Sequence, residues 1–350
     1  MGPEHEQRDA SRATGDRWRP ARALLAAALI LFGVVGLSYA WRSVDRGRDD
    51  APRVLRNDAQ SFATILRTGE LTSVDAPFRY RPLTPLLASL VPAPPAALRD
   101  FPRPMSGDEL LAYRFALVNA VGLALAAWFF LLLLGELGFG PWECLAGSLL
   151  LLVSYYPVSL GTAPLAEAWA WASLAAGLWA LLAGRWWLLG AAFALGLFNK
   201  ESALLVPLAA ALLPWSRNDR VRLAVCFVPT LAIYAGFRFA LAPDGTLGAS
   251  VGWHVAYLER LFTSSDWIEF PRSLLASFGA LWLPAAVGWR CARPGSPLAR
   301  WRLLIPLVLV APFVFVKGMG RVWFFAFPFV LPLALLGIRS WVERWRLPAP

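Results

Sequence analysis

The residues best suited to chemistry in this chain are charged side chains that stand inside apolar sequence. Lys200 and Glu201 interrupt a long hydrophobic run, and Glu167 lies near the start of another. Because a charge at the centre of a bilayer is costly, such residues usually face a cavity or pair with a second charge. A lysine can bind phosphate as a point charge, and a carboxylate beside it can orient it or take a proton. This pattern favours a site for a phosphorylated ligand, with simple turn polarity as the alternative interpretation of Lys200 and Glu201.

Further cations could belong to the same kind of site. Lys317 and Arg321 enclose the sequence Gly-Met-Gly, and a flexible turn of this kind lets both side chains converge on one phosphate. The alternative for this pair is that both side chains reach toward the membrane interface while their stems stay in lipid. Arg79 and Arg81 lie in a polar stretch upstream, and both are candidates for binding a lipid phosphate.

A transfer reaction that takes a proton from a hydroxyl needs a carboxylate as its general base. Asp58 is the favoured catalytic candidate. The alternative is that Asp58 caps a surface helix over residues 59–66, which Gly69 would end. Glu167 is the second catalytic candidate. It begins an apolar helix, in which a charge that faces neither a cavity nor a partner would be costly.

The amino-acid composition of the chain is typical of a membrane protein. Of the 350 residues, 58% are hydrophobic and 16% are charged, and the mean hydropathy is +0.53. Soluble domains average about 45–50% apolar and about 25% charged residues. The apolar excess excludes an ordinary soluble protein, a disordered chain and a small disulfide-bonded module. The cysteines and histidines show no metal-ligand spacing. Asp49 and Asp50 could hold a divalent metal ion, although neighbouring arginines favour solvated loop charge.

Apolar segments long enough to cross about 30 Å of hydrocarbon, roughly 20 residues each, recur along the chain. They cover residues 22–41, 112–135, 142–160, 164–183, 186–215, 222–241, 272–289, 303–316 and 321–339. The run 186–215 is long for one helix and is interrupted at 199–201, and arginines flank it at Arg185 and Arg217. These flanks favour a hairpin of two short helices whose tip is Lys200. We therefore predict an all-α fold, a polytopic transmembrane bundle of about ten helices.

Loop charges predict the orientation, because cytoplasmic loops are enriched in lysine and arginine. The expected organisation is a cytoplasmic tail over 1–21, a transmembrane domain over 22–340 and a cytoplasmic tail over 341–350. Outer loops over 42–109 and 242–271 would lie on the other face, and the first would carry interfacial helices. An uncleaved first helix is favoured over a signal peptide, because its apolar run is longer than a signal core. The expected location is the bacterial cytoplasmic (inner) membrane.

Several classes of function are excluded by missing motifs. The chain has no phosphate-binding loop of nucleotide hydrolases and no HExxH, GxSxG or GxGxxG motif. The formal net charge is +10, but the basic residues concentrate at the predicted cytoplasmic surface. Membrane lipids are therefore expected partners, and nucleic acid is not.

Short motifs spread over most of the chain point to a family. They are NDAQSFATILRTGEL at Asp58, the following PFRYRPLTPLLASLVP, TAPLAEAW at Glu167, FNKESALL at Lys200 and RVWFFAFPFVLPLALL from Arg321. Together they resemble the GT-C superfamily of polytopic membrane glycosyltransferases, in particular its small bacterial dolichyl-phosphate-mannose-type members. The resemblance implies a polyprenyl-phosphate-linked sugar donor, bound on the outer face, and a lipid or glycan acceptor. It also implies an inverting displacement in which Asp58 is the base and Lys200, Arg321 and Lys317 bind the lipid phosphate.

Two other classes of function stay open. A transporter or lipid flippase would need interrupted helices at two corresponding positions, and the sequence shows one interruption, at Asn199–Glu201. A non-catalytic membrane assembly protein would keep its cellular role after replacement of Asp58, Lys200 and Arg321 together. Transfer of labelled sugar from a polyprenyl phosphate would separate the enzyme from both alternatives.

Overall fold

The computed structural model describes residues 58–75, 78–99, 104–160, 165–241, 269–315 and 319–345. Regular structure in these ranges is helical, without a strand, which confirms the predicted all-α class. The helices are α1 (Asp58–Thr68), α2 (Leu83–Ser89), α3 (Ala96–Arg99), α4 (Gly107–Glu136), α5 (Pro141–Val153), α6 (Tyr155–Leu160), α7 (Glu167–Leu182), α8 (Trp186–Leu197), α9 (Leu205–Ala211), α10 (Arg217–Leu241), α11 (Glu269–Phe278), α12 (Trp282–Cys291), α13 (Pro297–Trp301), α14 (Leu304–Phe315), α15 (Met319–Trp323) and α16 (Phe327–Trp345). The predicted first span, the N-terminal tail and most of the loop 242–271 lie outside the described residues.

Four helical stretches are long and apolar enough to cross a membrane. They are Gly107–Glu136, Arg217–Leu241, Phe270–Cys291 and Arg321–Trp345. The third combines α11 with α12, and the fourth combines α15 with α16. Several of the other predicted spans correspond to shorter apolar helices, α5, α8 and α9 among them. These stretches indicate a membrane protein.

The predicted surface helix in the first loop is present as α1. Asp58 is its first residue, and the helix extends to Thr68. Gly69 ends it with a positive φ of 72°, and its backbone N–H donates to the carbonyl of Ile65 at 2.8 Å. Glycine favours this left-handed conformation because it has no Cβ. The helix ends where the sequence predicts that it should.

The core of the bundle is built around α7, which is buried along most of its length. α4 runs beside α7 in the same direction. Trp169 Nε1 donates to the carbonyl of Val118 at 3.0 Å, and further along both helices Phe129 packs against Trp179. Aromatic side chains of the 3-10 segment Phe324–Ala326 pack on another side of α7. The helix that begins at Glu167 is thus enclosed by packed apolar surfaces.

The segment 186–215 folds back on itself. α8 leads away from Trp186, the chain reverses, and α9 leads back, so that the Trp215 ring lies 6.0 Å from the Trp186 ring. α10 then packs along α8, with the rings of Phe193 and Phe227 4.9 Å apart. Two short helices with a polar turn between them therefore reach from one end of the bundle toward the other.

Helices α12 and α16 cross at two glycines. A Cβ on Gly288 would lie 1.8 Å from the carbonyl oxygen of Leu333, and a Cβ on Gly337 would lie 1.9 Å from that of Pro284. No real Cβ atom approaches backbone so closely, so these positions require glycine. Small residues allow the backbones of membrane helices to approach in this way.

Charged residues divide between the two ends of the bundle. At one end the described helix termini carry ten arginines, Arg185, Arg217, Arg220, Arg222, Arg290, Arg293, Arg300, Arg302, Arg339 and Arg344. Four described carboxylates accompany them, namely Glu136, Glu143, Asp219 and Glu343. Exposed tryptophans stand at the same helix termini, at positions Trp142, Trp187 and Trp345. We call this the arginine-rich end; α7 and α15 begin at the opposite end.

Candidate functional site

Glu167 is the centre of a buried charge cluster at the end of the bundle opposite the arginine-rich end. It is the first residue of α7, and its side chain is only 4% exposed. Its Oε1 lies 2.6 Å from Nζ of Lys200 and 3.2 Å from Nε of Arg321. Lys200 comes from the turn after α8, and Arg321 comes from α15. One carboxylate therefore holds two cations that reach it from different parts of the chain.

Lys200 is placed by the turn at the tip of the hairpin. The preceding Asn199 is fully buried, and its Nδ2 donates to the carbonyl of Ala166 at 2.6 Å. Its Oδ1 accepts from Oγ1 of Thr84, also at 2.6 Å. Because Ala166 directly precedes Glu167, the Asn199 amide ties the hairpin tip to the start of α7. This fixes the ammonium of Lys200 beside its carboxylate partner.

A second carboxylate, Glu201, gathers polar partners next to the first. Its Oε2 accepts from Nη2 of Arg81 at 2.7 Å, and its Oε1 accepts from the hydroxyl of Tyr234 at 3.3 Å. Nη1 of Arg238 lies 3.9 Å from the same Oε1, and the Arg238 guanidinium lies 4.5 Å from the centre of the Tyr80 ring. Glu201 thus joins the first loop to the last turns of α10.

Among the described side chains of this cluster, cations outnumber carboxylates. The two carboxylates, Glu167 and Glu201, pair with four cations: Arg81, Lys200, Arg238 and Arg321. Four positive and two negative side chains leave a formal charge of +2. One wall is apolar, because Nζ of Lys200 lies 4.9 Å from the centre of the Phe325 ring. Fixed cations in excess beside an apolar wall suit an anion that carries an apolar substituent.

Arg81 has N–H donors that bond to no other described residue. Its side chain is 13% exposed, and its Nη2 donates to Glu201. Its Nε is buried without a hydrogen-bond partner among the described residues. A guanidinium has five N–H donors in a planar fork, so one bond to a carboxylate leaves most of them unused. Arg81 is therefore suited to accept an additional anionic group.

An apolar groove lies near the cluster. It has a volume of about 410 Å³ and runs between the end of α5 and the junction of α11 with α12. Leu150, Val153 and Leu275 are among its lining residues. Phe278 in its wall stacks on Phe324 with ring centres 5.4 Å apart, and Phe324 lies one turn after the cluster cation of α15. This stacked pair of rings connects the wall of the groove to the segment that directly follows α15.

The structure brings five of the sequence candidates together: Arg81, Glu167, Lys200, Glu201 and Arg321. Arg79 has other partners, although it is two residues from Arg81. It is buried, and its Nε and Nη1 donate to the carbonyls of Val74 at 3.0 Å and Leu241 at 3.2 Å. Arg79 therefore ties the first loop to the end of α10.

Two other candidates lie outside the described part of the chain, namely Lys317 and the side chain of Asp58. The backbone of Asp58 opens α1, and this helix lies at the same end as the cluster. Phe62, one turn into α1, belongs to the same apolar cluster as Ala166. The start of α1 is therefore near the start of α7.

Within the described ranges, no group of three His, Cys, Asp or Glu residues could hold a metal ion. Asp49 and Asp50, the candidates for a divalent ion, lie outside those ranges.

Sequence reasoning missed Tyr234, Arg238 and Asn199 as parts of the site. A signal for the first two is present, because an arginine inside an apolar helix with a tyrosine four residues earlier presents both on one face. Asn199 precedes Lys200 directly, but nothing in the sequence shows that its amide would reach Ala166 and Thr84. These contacts depend on how the hairpin and the first loop pack.

No protein-family model, curated protein or solved structure matches this chain. The expected similarity to polytopic glycosyltransferases rests on the sequence motifs alone.

Proposed function

We propose that the protein is a membrane glycosyltransferase. In this proposal it transfers a sugar from a polyprenyl-phosphate-linked donor to a lipid or glycan acceptor on the outer face of the cytoplasmic membrane. The observation that carries the proposal is the gathering of four described cations around Glu167 and Glu201 at one end of an apolar bundle. A phosphate on a long hydrocarbon supplies the negative charge and the apolar contacts that such a site favours. The sequence motifs support sugar transfer as the reaction.

The proposed orientation follows from the arginine-rich end, which belongs in the cytoplasm because cytoplasmic segments carry excess lysine and arginine. The 16 residues of α7 rise about 24 Å between the two ends, which is comparable to the hydrocarbon thickness of about 30 Å. Exposed tryptophans at the arginine-rich end fit the aromatic belt of a membrane interface. The cluster would then lie near the outer boundary of the hydrocarbon, at the level of a lipid phosphate.

In the proposed reaction, the hydroxyl oxygen of the acceptor attacks the anomeric carbon of the sugar. The bond from that carbon to the phosphate oxygen breaks, and its electron pair leaves with the polyprenyl phosphate. Arg81, Lys200 and Arg321 stabilise the negative charge that builds on this leaving group. The proton of the acceptor hydroxyl goes to a carboxylate, and the displacement inverts the anomeric carbon. We assign this base to Asp58, because α1 begins near the start of α7.

Glu167 and Glu201 are assigned a positioning role. A carboxylate with two cations at 2.6 Å and 3.2 Å is a poor proton acceptor, so Glu167 is better suited to orient Lys200 and Arg321 than to act as base. Glu201 does the same for Arg81. Cations held in place before the donor binds need no reorganisation during the reaction. The apolar groove beside Phe278 offers space for part of the polyprenyl chain.

Sugar transfer by the reconstituted full chain tests the proposal. With a radiolabelled polyprenyl-phosphate sugar, we expect Lys200→Ala and Arg321→Ala each to lower kcat/KM by about 100-fold or more, because each removes stabilisation of the leaving phosphate. Arg293→Ala, which removes an exposed arginine at the opposite end, is the matched control and should transfer at the wild-type rate. Wild-type activity of both cluster variants would overturn the phosphate site. Wild-type activity of Asp58→Asn would overturn the base.

A transporter or flippase for the same lipid phosphate is the second candidate. The hairpin favours it, because two short helices with a buried lysine at their tip resemble the interrupted helices of transporter sites. Liposomes that contain the purified protein and a labelled lipid-linked sugar separate the two functions. Movement of the label across the bilayer without formation of a glycosidic bond would support transport and contradict the transferase.

A further inference from the structure

A second cationic feature lies at the arginine-rich end, in the connection between α12 and α14. Four arginines lie in or next to this connection, Arg290, Arg293, Arg300 and Arg302. From Phe270 to Val342 the sequence contains no Asp or Glu. None of the four arginines forms an ion pair with any residue in the described ranges. No carboxylate in the described part of the chain therefore compensates their positive charge locally.

Arg300 and Arg302 differ from the other two because they are half-buried and fixed in place. Nη1 of Arg300 donates to the carbonyl of Leu212 at 3.2 Å, and Nη1 of Arg302 donates to the carbonyl of Trp289 at 2.6 Å. The guanidinium of Arg302 also lies 5.4 Å from the centre of the Trp289 ring. In both arginines Nε is buried without a hydrogen-bond partner among the described residues. A half-buried charge with few partners is costly, so an anion beside it would be stabilising.

An apolar stripe continues directly from these cations. Leu303, Leu307 and Val310 are 59%, 47% and 54% exposed. Leu303 directly precedes α14, and the spacing of Leu307 and Val310 places these two on one face of the helix. Residues 300–302, which we call the arginine turn, precede the stripe. Trp301 anchors this turn, because it is fully buried and donates from Nε1 to a backbone carbonyl of α9 at 3.0 Å. A rigid turn thus carries two cations at the end of an exposed apolar surface.

We propose that this turn binds an anionic phospholipid. Its phosphate would lie against Arg300 and Arg302, and an acyl chain would follow Leu303, Leu307 and Val310. A lipid is favoured over free phosphate because its acyl chain can pack against the apolar stripe, whereas a free phosphate ion gains no such contact. Arginines next to membrane helices attract anionic head groups in this way. The site lies at the opposite end from Glu167 and does not depend on the proposed sugar transfer.

Thermal unfolding of the full chain in neutral detergent tests the proposal. We expect phosphatidylglycerol to raise the Tm, and we expect phosphatidylcholine to leave it unchanged. Arg300→Gln with Arg302→Gln should weaken the response to phosphatidylglycerol by about 25-fold in concentration, or about fivefold for each arginine. Arg293→Gln removes an exposed arginine of the same connection and should respond like the wild type.

Four outcomes would overturn the proposal. An equal rise in Tm with inorganic phosphate would indicate a free-anion site. A wild-type response of the double variant, or an equal loss in Arg293→Gln, would indicate general charge attraction without a specific site. Because the double variant also loses backbone contacts, the wild-type protein is measured separately in bilayers with spin-labelled lipids. The immobilised fraction should be larger for phosphatidylglycerol than for phosphatidylcholine, and equal fractions would contradict a lipid site.

Discussion

Glu167 keeps two cations in place where an uncompensated charge would be costly. Lys200 and Arg321 reach its carboxylate from other helices, and the Lys200 side chain is only 10% exposed. Burial strengthens the attraction between these charges, but it also raises the cost of leaving either of them alone. Glu167 therefore has two effects. It stabilises this end of the bundle, and it sets the positions of two cations of the proposed phosphate site.

We expect Glu167→Gln to destabilise the protein by about 3–5 kcal/mol, because it leaves two cations without their shared carboxylate in a buried site. Adding Lys200→Met should restore part of the loss, since it removes the buried ammonium that pairs with Glu167. Unfolding of each variant in detergent micelles by denaturant measures both effects.

The matched control for this prediction is the ion pair at the opposite end. Arg339 Nε lies 2.7 Å from Glu143 Oε1, and both side chains are about one-third exposed. Glu143→Gln should cost about 1 kcal/mol or less, because water compensates exposed charges. Equal losses in Glu143→Gln and Glu167→Gln would contradict the burial of the Glu167 cluster.

At the level of elements, the crossing of α12 and α16 depends on the absence of side chains. Gly288 and Gly337 face each other, and each would place a Cβ within 2 Å of a backbone carbonyl oxygen of the other helix. α16 continues from α15, which carries Arg321. The close crossing therefore contributes to the position of a cluster cation through the helix that follows it.

Gly288→Ala is expected to destabilise the protein by about 1–3 kcal/mol, because the helices must separate to admit one methyl group. Gly236→Ala is the matched control: Gly236 lies in α10, and nothing lies within 4 Å of a Cβ built there. Alanine is the better helix former, so this control should be neutral or stabilising by up to about 1 kcal/mol. Thermal unfolding of both variants measures the difference, and a neutral Gly288→Ala would contradict the close crossing.

For the whole molecule, the separation of charge between the two ends predicts one orientation in the membrane. With ten arginines among its described helix termini, the arginine-rich end should face the cytoplasm. The cluster around Glu167 would then face outward, where a lipid-linked sugar donor is expected.

Labelling of single cysteines in intact cells tests this orientation. In a variant without Cys144, Cys226 and Cys291, Ser89→Cys at the cluster end should react with a membrane-impermeant maleimide from outside. Arg293→Cys at the arginine-rich end should react only after the membrane is permeabilised. The reverse pattern would place the cluster in the cytoplasm and contradict the proposed donor site.

The sequence by itself determined that this is a membrane protein and singled out several residues of its charge cluster. Long apolar segments are expensive to expose to water, so their number and length indicate membrane helices without knowledge of their packing. The cost of an isolated charge in such a segment is also a local property, and it singles out Glu167, Lys200 and Glu201. The stop of α1 at Gly69 follows from local backbone preference.

Only the tertiary structure decided which of these charges meet. Arg79 and Arg81 are two residues apart and look equivalent in the sequence, yet Arg81 pairs with Glu201 and Arg79 bonds to backbone carbonyls. Arg321 reaches Glu167 because α15 packs against the bundle beside α7, and Asn199 fixes Lys200 because the first loop covers the hairpin tip. Such pairings depend on distances between helices that are remote in sequence, and no local spacing encodes them.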